Sequence, residues 1–170
     1  MSDTIKTPHT YLLPTLDNLN KSKVAGEVRP ETKNMEFHLP PSKELEHLPL
    51  FCYGTLRTEG SLHQLIKPYI LKGPLTASTK GTLALSNVGD WPLLLDGQID
   101  VVGEIFIIKI NLESLKVLLF EELSWGYSLI WRDFHTAEFK GKALVCHWPW
   151  ELGFDQIIDS SDWIKFIKTR

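Results

Sequence analysis

Phe51-Cys-Tyr-Gly-Thr-Leu-Arg57 is a short apolar run that halts at a glycine and gives way to a polar turn. The run Leu50–Tyr53 has the length and bulk of a buried strand bounded by a breaker. Gly54 lets a ligand approach the main chain, because it has no Cβ to hold it off. A turn placed directly after such a strand can point consecutive backbone N–H groups outward as an anion-binding nest. Taken alone, the same residues also describe an ordinary strand end and loop.

Upstream of this run the composition changes. Pro8, Pro14, Pro30, Pro40 and Pro41 punctuate a polar stretch, so residues 1–47 are expected to be an N-terminal arm, partly extended or disordered, with short ordered pieces at most. The remainder, 48–170, reads as one domain. Ser61–Lys67 is expected as a short helix with Ser61 as its N-cap. Gly81–Leu85, Leu93–Leu95 and the β-branched Val101–Ile110 are expected as strands, with the Gly- and Pro-containing stretch 87–92 as a loop between the first two. Tyr127–Phe139 and Ala143–Trp150 are expected as a hairpin turning at Lys140-Gly141-Lys142. Ser161–Lys168 is expected as a last short helix. Many strands and few helices give an α+β class: a small mixed β-barrel, closed or nearly so, flanked by short helices.

Asn111 is placed to cap a helix running to about Leu123, with Gly126 just beyond its end. At a helical step of about 100° per residue, Leu112, Leu115, Leu118, Leu119 and Leu123 share one face, and Glu122 falls on that face. A carboxylate on an apolar stripe loses hydration, which raises its pKa and suits it to exchange protons near neutrality. By periodicity alone a second account stands, in which Glu122 ends the stripe at the last turn and reaches water.

Composition excludes several classes. A net charge of −3, with no basic run, argues against a nucleic-acid partner. No apolar stretch approaches the roughly 18 residues of a membrane helix, and the N-terminus lacks a secretory pattern. Cys52 and Cys146 lie in apolar runs and read as buried reduced thiols, which fits a cytoplasmic location. The six histidines show no metal spacing, so no metal is expected, and nucleotide-cradling loops and the serine-hydrolase elbow are absent. Asp90-Trp91 is compatible with a pocket wall, though a turn is the plainer account.

Taken in order, several segments resemble the γ-glutamylcyclotransferase and AIG2-like superfamily. Phe51–Arg57 is similar to its YGTLR signature. Gly81-Thr-Leu followed by Trp91-Pro92 is similar to its second segment. Val102-Gly-Glu-Ile-Phe106 resembles its VxGEVY strand, and Leu118-Leu-Phe-Glu-Glu122 stands where that family has LDxxE. Tyr127 matches an aromatic position, and Ser161-Asp-Trp163 resembles a C-terminal GDW. The chain departs from the pattern at Leu119, Leu123 and Leu129, where the family commonly has Asp, Gly and Arg.

The resemblance implies an enzyme that releases 5-oxoproline from a small-molecule γ-glutamyl amide without a cofactor, because the substrate's own amine is the nucleophile. It implies Glu122 as the catalytic acid and base. It also implies Tyr53, Gly54, Thr55 and Leu56 as the grip on the glutamyl group, with Arg57, Trp91 and Tyr127 as further binding residues. Two other uses of the chain are compatible with the residues: an AIG2-like module that binds without turnover, and an interaction protein whose arm docks a partner. A homodimer is one assembly open to it. A water-attack hydrolase on the same pocket is distinguished by its product, glutamate.

Overall fold

The computed structural model describes residues 10–12, 36–38, 47–117 and 125–170. Two three-residue strands, β1 (Thr10–Leu12) and β2 (Glu36–His38), pair antiparallel. The other elements follow in order: β3 (His47–Cys52), α1 (His63–Ile66) with a 3₁₀ turn over Lys67–Tyr69, β4 (Ile70–Ser86), β5 (Pro92–Lys109), α2 (Leu112–Val117), β6 (Ser128–His135), β7 (Lys140–His147), β8 (Phe154–Ile157) and α3 (Trp163–Lys168).

Five strands close a mixed β-barrel. They run in the order β5, β3, β7, β6, β4, and β4 returns to pair with β5. Closure leaves these strands no open edge, which removes the hazard of unpaired backbone groups. β3 lies antiparallel to β5 and parallel to β7, where Leu50 faces Leu144 and Phe51 faces Val145. β8 adds to the far end of β4 through Ala84, Leu85 and Ser86. Leu50, Phe106, Ile108, Leu83, Leu93 and Val145 fill the interior, and Ile66 of α1 joins them. Along β5 burial alternates from Val101 to Ile105, as a strand with one face on the core requires.

The α+β barrel expected from the sequence is the fold observed, with differences in where its elements begin and end. The separate strands expected at Leu93–Leu95 and Val101–Ile110 are one strand, β5. Gly81 pairs with Ile99 and Thr82 with Leu95, so Asp96-Gly97-Gln98 bulges out while pairing resumes on both sides. β4 likewise starts at Ile70, well before Gly81. The hairpin turns at residues 136–139, not at 140–142. His135 pairs with Lys140, and the Thr136 hydroxyl accepts the N–H groups of Glu138 and Phe139, at 3.1 Å each. Ser61 does not cap α1, whose first residue follows Leu62 with no side-chain cap. The last helix starts at Trp163 rather than at Ser161, and Asp162 caps it by accepting from Ile164 N at 3.0 Å.

Asn111 caps α2 as expected. Its Oδ1 accepts from Ser114 N at 2.8 Å, and Ser114 Oγ accepts from Asn111 N at 2.9 Å, a reciprocal arrangement that satisfies two otherwise orphaned donors. Gly126 has φ +99°, the left-handed geometry anticipated for it.

Candidate active site

The end of β3 carries the site. Past Cys52 the chain leaves the barrel wall and enters the turn of Gly54, Thr55 and Leu56, closed by Arg57 N donating to the Gly54 carbonyl at 3.1 Å. Leu62 N donates to the Thr55 carbonyl at 2.9 Å, which fastens the far side of the loop. The N–H groups of Gly54, Thr55 and Leu56 have no protein acceptor among the described residues. Leu56 and Gly54 are buried, so these donors sit where hydrogen bonds count for more than in water.

A narrow hollow lies against this turn, lined by Tyr53, Gly54, Thr55, Leu56, Pro92, Tyr127 and Cys146 among the described residues. About 30 Å³ of it is open to a water-sized sphere, enough for a carbonyl or carboxylate group rather than a long chain. Two phenols frame it, and both hydroxyls are held by the main chain. Tyr53 donates to the Cys146 carbonyl at 2.8 Å, and Tyr127 donates to the Pro92 carbonyl at 2.7 Å. Gly54 is required by contact: a Cβ there would lie 2.4 Å from Cγ of Pro92. Tyr127 is held from behind by Trp148, edge to face at 5.5 Å and 76°, and Trp150 Nε1 donates to the neighbouring Gly126 carbonyl at 3.0 Å. Cys52 and Cys146 are both buried.

Thr55 and Tyr127 also line a second, wider opening with Ser61, Leu62, Asp90, Trp91 and Trp125. About 300 Å³ of it is open to a water-sized sphere, some tenfold more than the hollow. Trp91 and Trp125 meet there, with ring centroids 5.2 Å apart at 57°. Arg170 Nη1 donates to Asp90 Oδ1 at 2.7 Å.

Arg57 lines neither opening. Its Nη1 donates to Asp162 Oδ1 at 2.7 Å, and its Nε lies 3.9 Å from Glu104 Oε1, with all three side chains between 10% and 15% exposed. Glu104 Oε2 accepts from Thr58 N at 2.7 Å and from the Thr58 hydroxyl at 3.0 Å. The loop that carries the turn is thereby tied to β5 and to the cap of α3.

His147, next to Cys146, is buried at the end of β7. Burial, then the Arg132 guanidinium, hold its pKa below the ordinary imidazole range, and Asp96 opposes them only in part. Asp96 Oδ1 lies 3.2 Å from Nε2, in contact but without an aligned hydrogen bond, and is itself bound by Arg132 Nη2 at 2.5 Å. Among the described residues no group of three or more His, Cys, Asp or Glu stands close enough to hold a metal ion.

Of the residues singled out from sequence, Tyr53, Gly54, Thr55, Leu56 and Tyr127 come together around one hollow, and Trp91 joins Thr55 and Tyr127 around the adjoining opening. Arg57 stands outside both. Glu122, with Leu119 and Leu123, lies outside the described residues. Leu129 is buried at 9% exposure opposite Cys146 on the β6–β7 ladder. Sequence reasoning missed Pro92 as a wall and Trp125 altogether. The Trp-Pro pair at 91–92 was a usable signal for the first, whereas nothing local marked Trp125.

No family model matches the chain. A Vibrio cholerae protein provisionally named a gamma-glutamylcyclotransferase is 31% identical over 122 residues, which span 71% of this chain and 98% of that protein. Among solved structures, a mouse AIG2-like protein superposes with a TM-score of 0.53 at 19% identity over 67% of this chain and 89% of its own. An uncharacterized Pyrococcus horikoshii protein superposes at 0.55 with 22% identity over 72% of this chain and 94% of its own. At those identities the superpositions carry the fold alone. No helix among the described residues is long and apolar enough to cross a membrane.

Proposed function

Because the chain belongs to the γ-glutamylcyclotransferase family, we propose that it cleaves a γ-glutamyl amide by intramolecular attack, releasing 5-oxoproline and a free amine. The observation that carries this reading is the turn after β3: three backbone N–H groups without a protein acceptor among the described residues border a hollow sized for one carbonyl or carboxylate group. Fixed donors of this kind stabilise negative charge as it develops, without reorganising during the reaction.

The bond changes are few. The substrate's α-nitrogen bonds to its own γ-carbonyl carbon, and the carbonyl oxygen takes negative charge beside the Gly54–Leu56 donors. The C–N bond to the leaving amine then breaks. One proton leaves the α-nitrogen and one arrives at the departing nitrogen. In this reading Glu122 carries that proton, a role that rests on its match to the family's glutamate. Holding the two reacting ends together supplies much of the rate, since well-oriented intramolecular attack reaches effective molarities of about 10⁵–10⁸ M. Tyr53 and Tyr127, anchored to carbonyls, keep the walls fixed while the substrate folds. Arg57 positions the loop from outside.

Glu122→Gln removes the proton carrier at nearly constant shape. Turnover of a γ-glutamyl amide, followed as 5-oxoproline, is expected to fall by about 10²–10⁴-fold, with the thermal unfolding transition retained. Parental turnover in that variant would remove Glu122 from the mechanism. Release of glutamate in place of 5-oxoproline would replace internal attack by water.

A further inference from the structure

We propose that the opening walled by Trp91 and Trp125 is the leaving-amine subsite and that it selects amines bearing a flat, uncharged aromatic group. The proposal rests on the cyclotransferase reading above, since it assigns the other half of the same substrate. Three observations carry it. The opening shares Thr55 and Tyr127 with the narrow hollow, so a γ-glutamyl group lodged by its carbonyl at the turn directs its amide substituent outward into this space. The hollow has room for one small polar group, and the opening offers about tenfold more, so the bulk of any leaving group belongs there.

The third observation is chemical. The walls are two indoles inclined at 57°, one of them 41% exposed, with Leu62 at 40% exposed beside them. An inclined indole pair offers one ring face and one ring edge to a third ring, the arrangement that aromatic groups favour. Asp90 is the charged side chain among the described residues of the lining, and its carboxylate is already bound by Arg170. Among the described residues the lining itself holds no basic side chain, so an anionic leaving group, such as an acidic amino acid, finds no counter-charge beyond the Arg170 already engaged by Asp90.

The test compares three substrates by 5-oxoproline release: the γ-glutamyl amides of 2-phenylethylamine, of methylamine and of glutamate. The phenylethylamide is expected to exceed both others in kcat/KM by about tenfold. Trp125→Ala should reduce the ratio of phenylethylamide to methylamide toward one, and Trp125→Phe should retain most of it. Trp125 is partly exposed, so its truncation spares the core. Equal kcat/KM for the three substrates, or an unchanged ratio in Trp125→Ala, overturns the subsite while leaving the cyclotransferase reading intact. Release of 5-oxoproline from none of the three, with the parental protein folded, overturns both.

Discussion

The hollow at the end of β3 and the opening beside it touch at Thr55 and Tyr127, yet they are made differently. The hollow is a main-chain device: its donors are peptide N–H groups, and its two phenols are fastened to peptide carbonyls of Cys146 and Pro92. The opening is a side-chain device, walled by Trp125 and Leu62, which are substantially exposed, and by the half-buried Trp91. Backbone geometry is set by the barrel, so the hollow is held as firmly as the strands around it. Exposed side chains answer to single substitutions. Under the proposed function, the invariant half of a γ-glutamyl substrate falls to the first region and the variable half to the second.

The most damaging change should therefore be one that disturbs the main chain at the hollow. Gly54→Ala places a methyl group 2.4 Å from Cγ of Pro92, a ring atom with little room to swing. The turn or the start of β5 must shift, and that start also carries the carbonyl that Tyr127 grips. Overpacking of this kind costs about 1–3 kcal/mol. A misplacement on the order of 1 Å at reacting groups can cost 10²-fold in rate, so turnover of every γ-glutamyl amide is expected to fall by about that factor. Near-parental activity across substrates would break the view that the hollow depends on exact backbone placement.

Arg57 offers the next largest effect, because it holds the hollow's loop without lining the hollow. Arg57→Met leaves Asp162 and Glu104 largely buried beside an apolar chain. Hydrogen bonds to charged groups contribute about 1.5–3 kcal/mol, and a loss in that range is expected from the shift in urea midpoint at constant slope. An unchanged midpoint, together with a raised KM alone, would move Arg57 from the scaffold to the ligand.

The sequence carried the barrel and the hollow because both rest on local signals. A buried run that stops at Gly54, a capped helix start at Asn111 and a glycine at 126 are each written within a few residues. Of the opening only Asp90-Trp91 was legible, and the Arg57 cluster was not, because both depend on pairings across the chain: Trp91 with Trp125, and Arg57 with Asp162, 105 positions away. The merged β5 was missed for a related reason. Asp96-Gly97-Gln98 has the composition of a turn, and only pairing with β4 on both sides makes it a bulge within one strand. The same limit explains β8, a short and mostly exposed strand with little alternation to announce it.

The smallest expected effect separates the two regions by pH. His147 follows Cys146, whose carbonyl takes the Tyr53 hydroxyl, so it adjoins the hollow's wall and is not among the described residues that line the indole opening. Burial and Arg132 depress its pKa in the folded state, so the unfolded chain binds this proton more readily than the folded one. The stabilising contribution of the neutral ring is complete above the unfolded value of about 6.5 and is lost progressively as pH falls below it toward the folded pKa. The parental melting temperature should therefore decline on the acid side of that value more steeply than that of His147→Gln, which cannot take up the proton. Parallel declines for the two proteins would show that acid acts elsewhere. If the steeper decline is accompanied by a rising KM for the methylamide as well as for the phenylethylamide, the disturbance is in the shared hollow; if it is confined to the phenylethylamide, it has reached the indole wall instead.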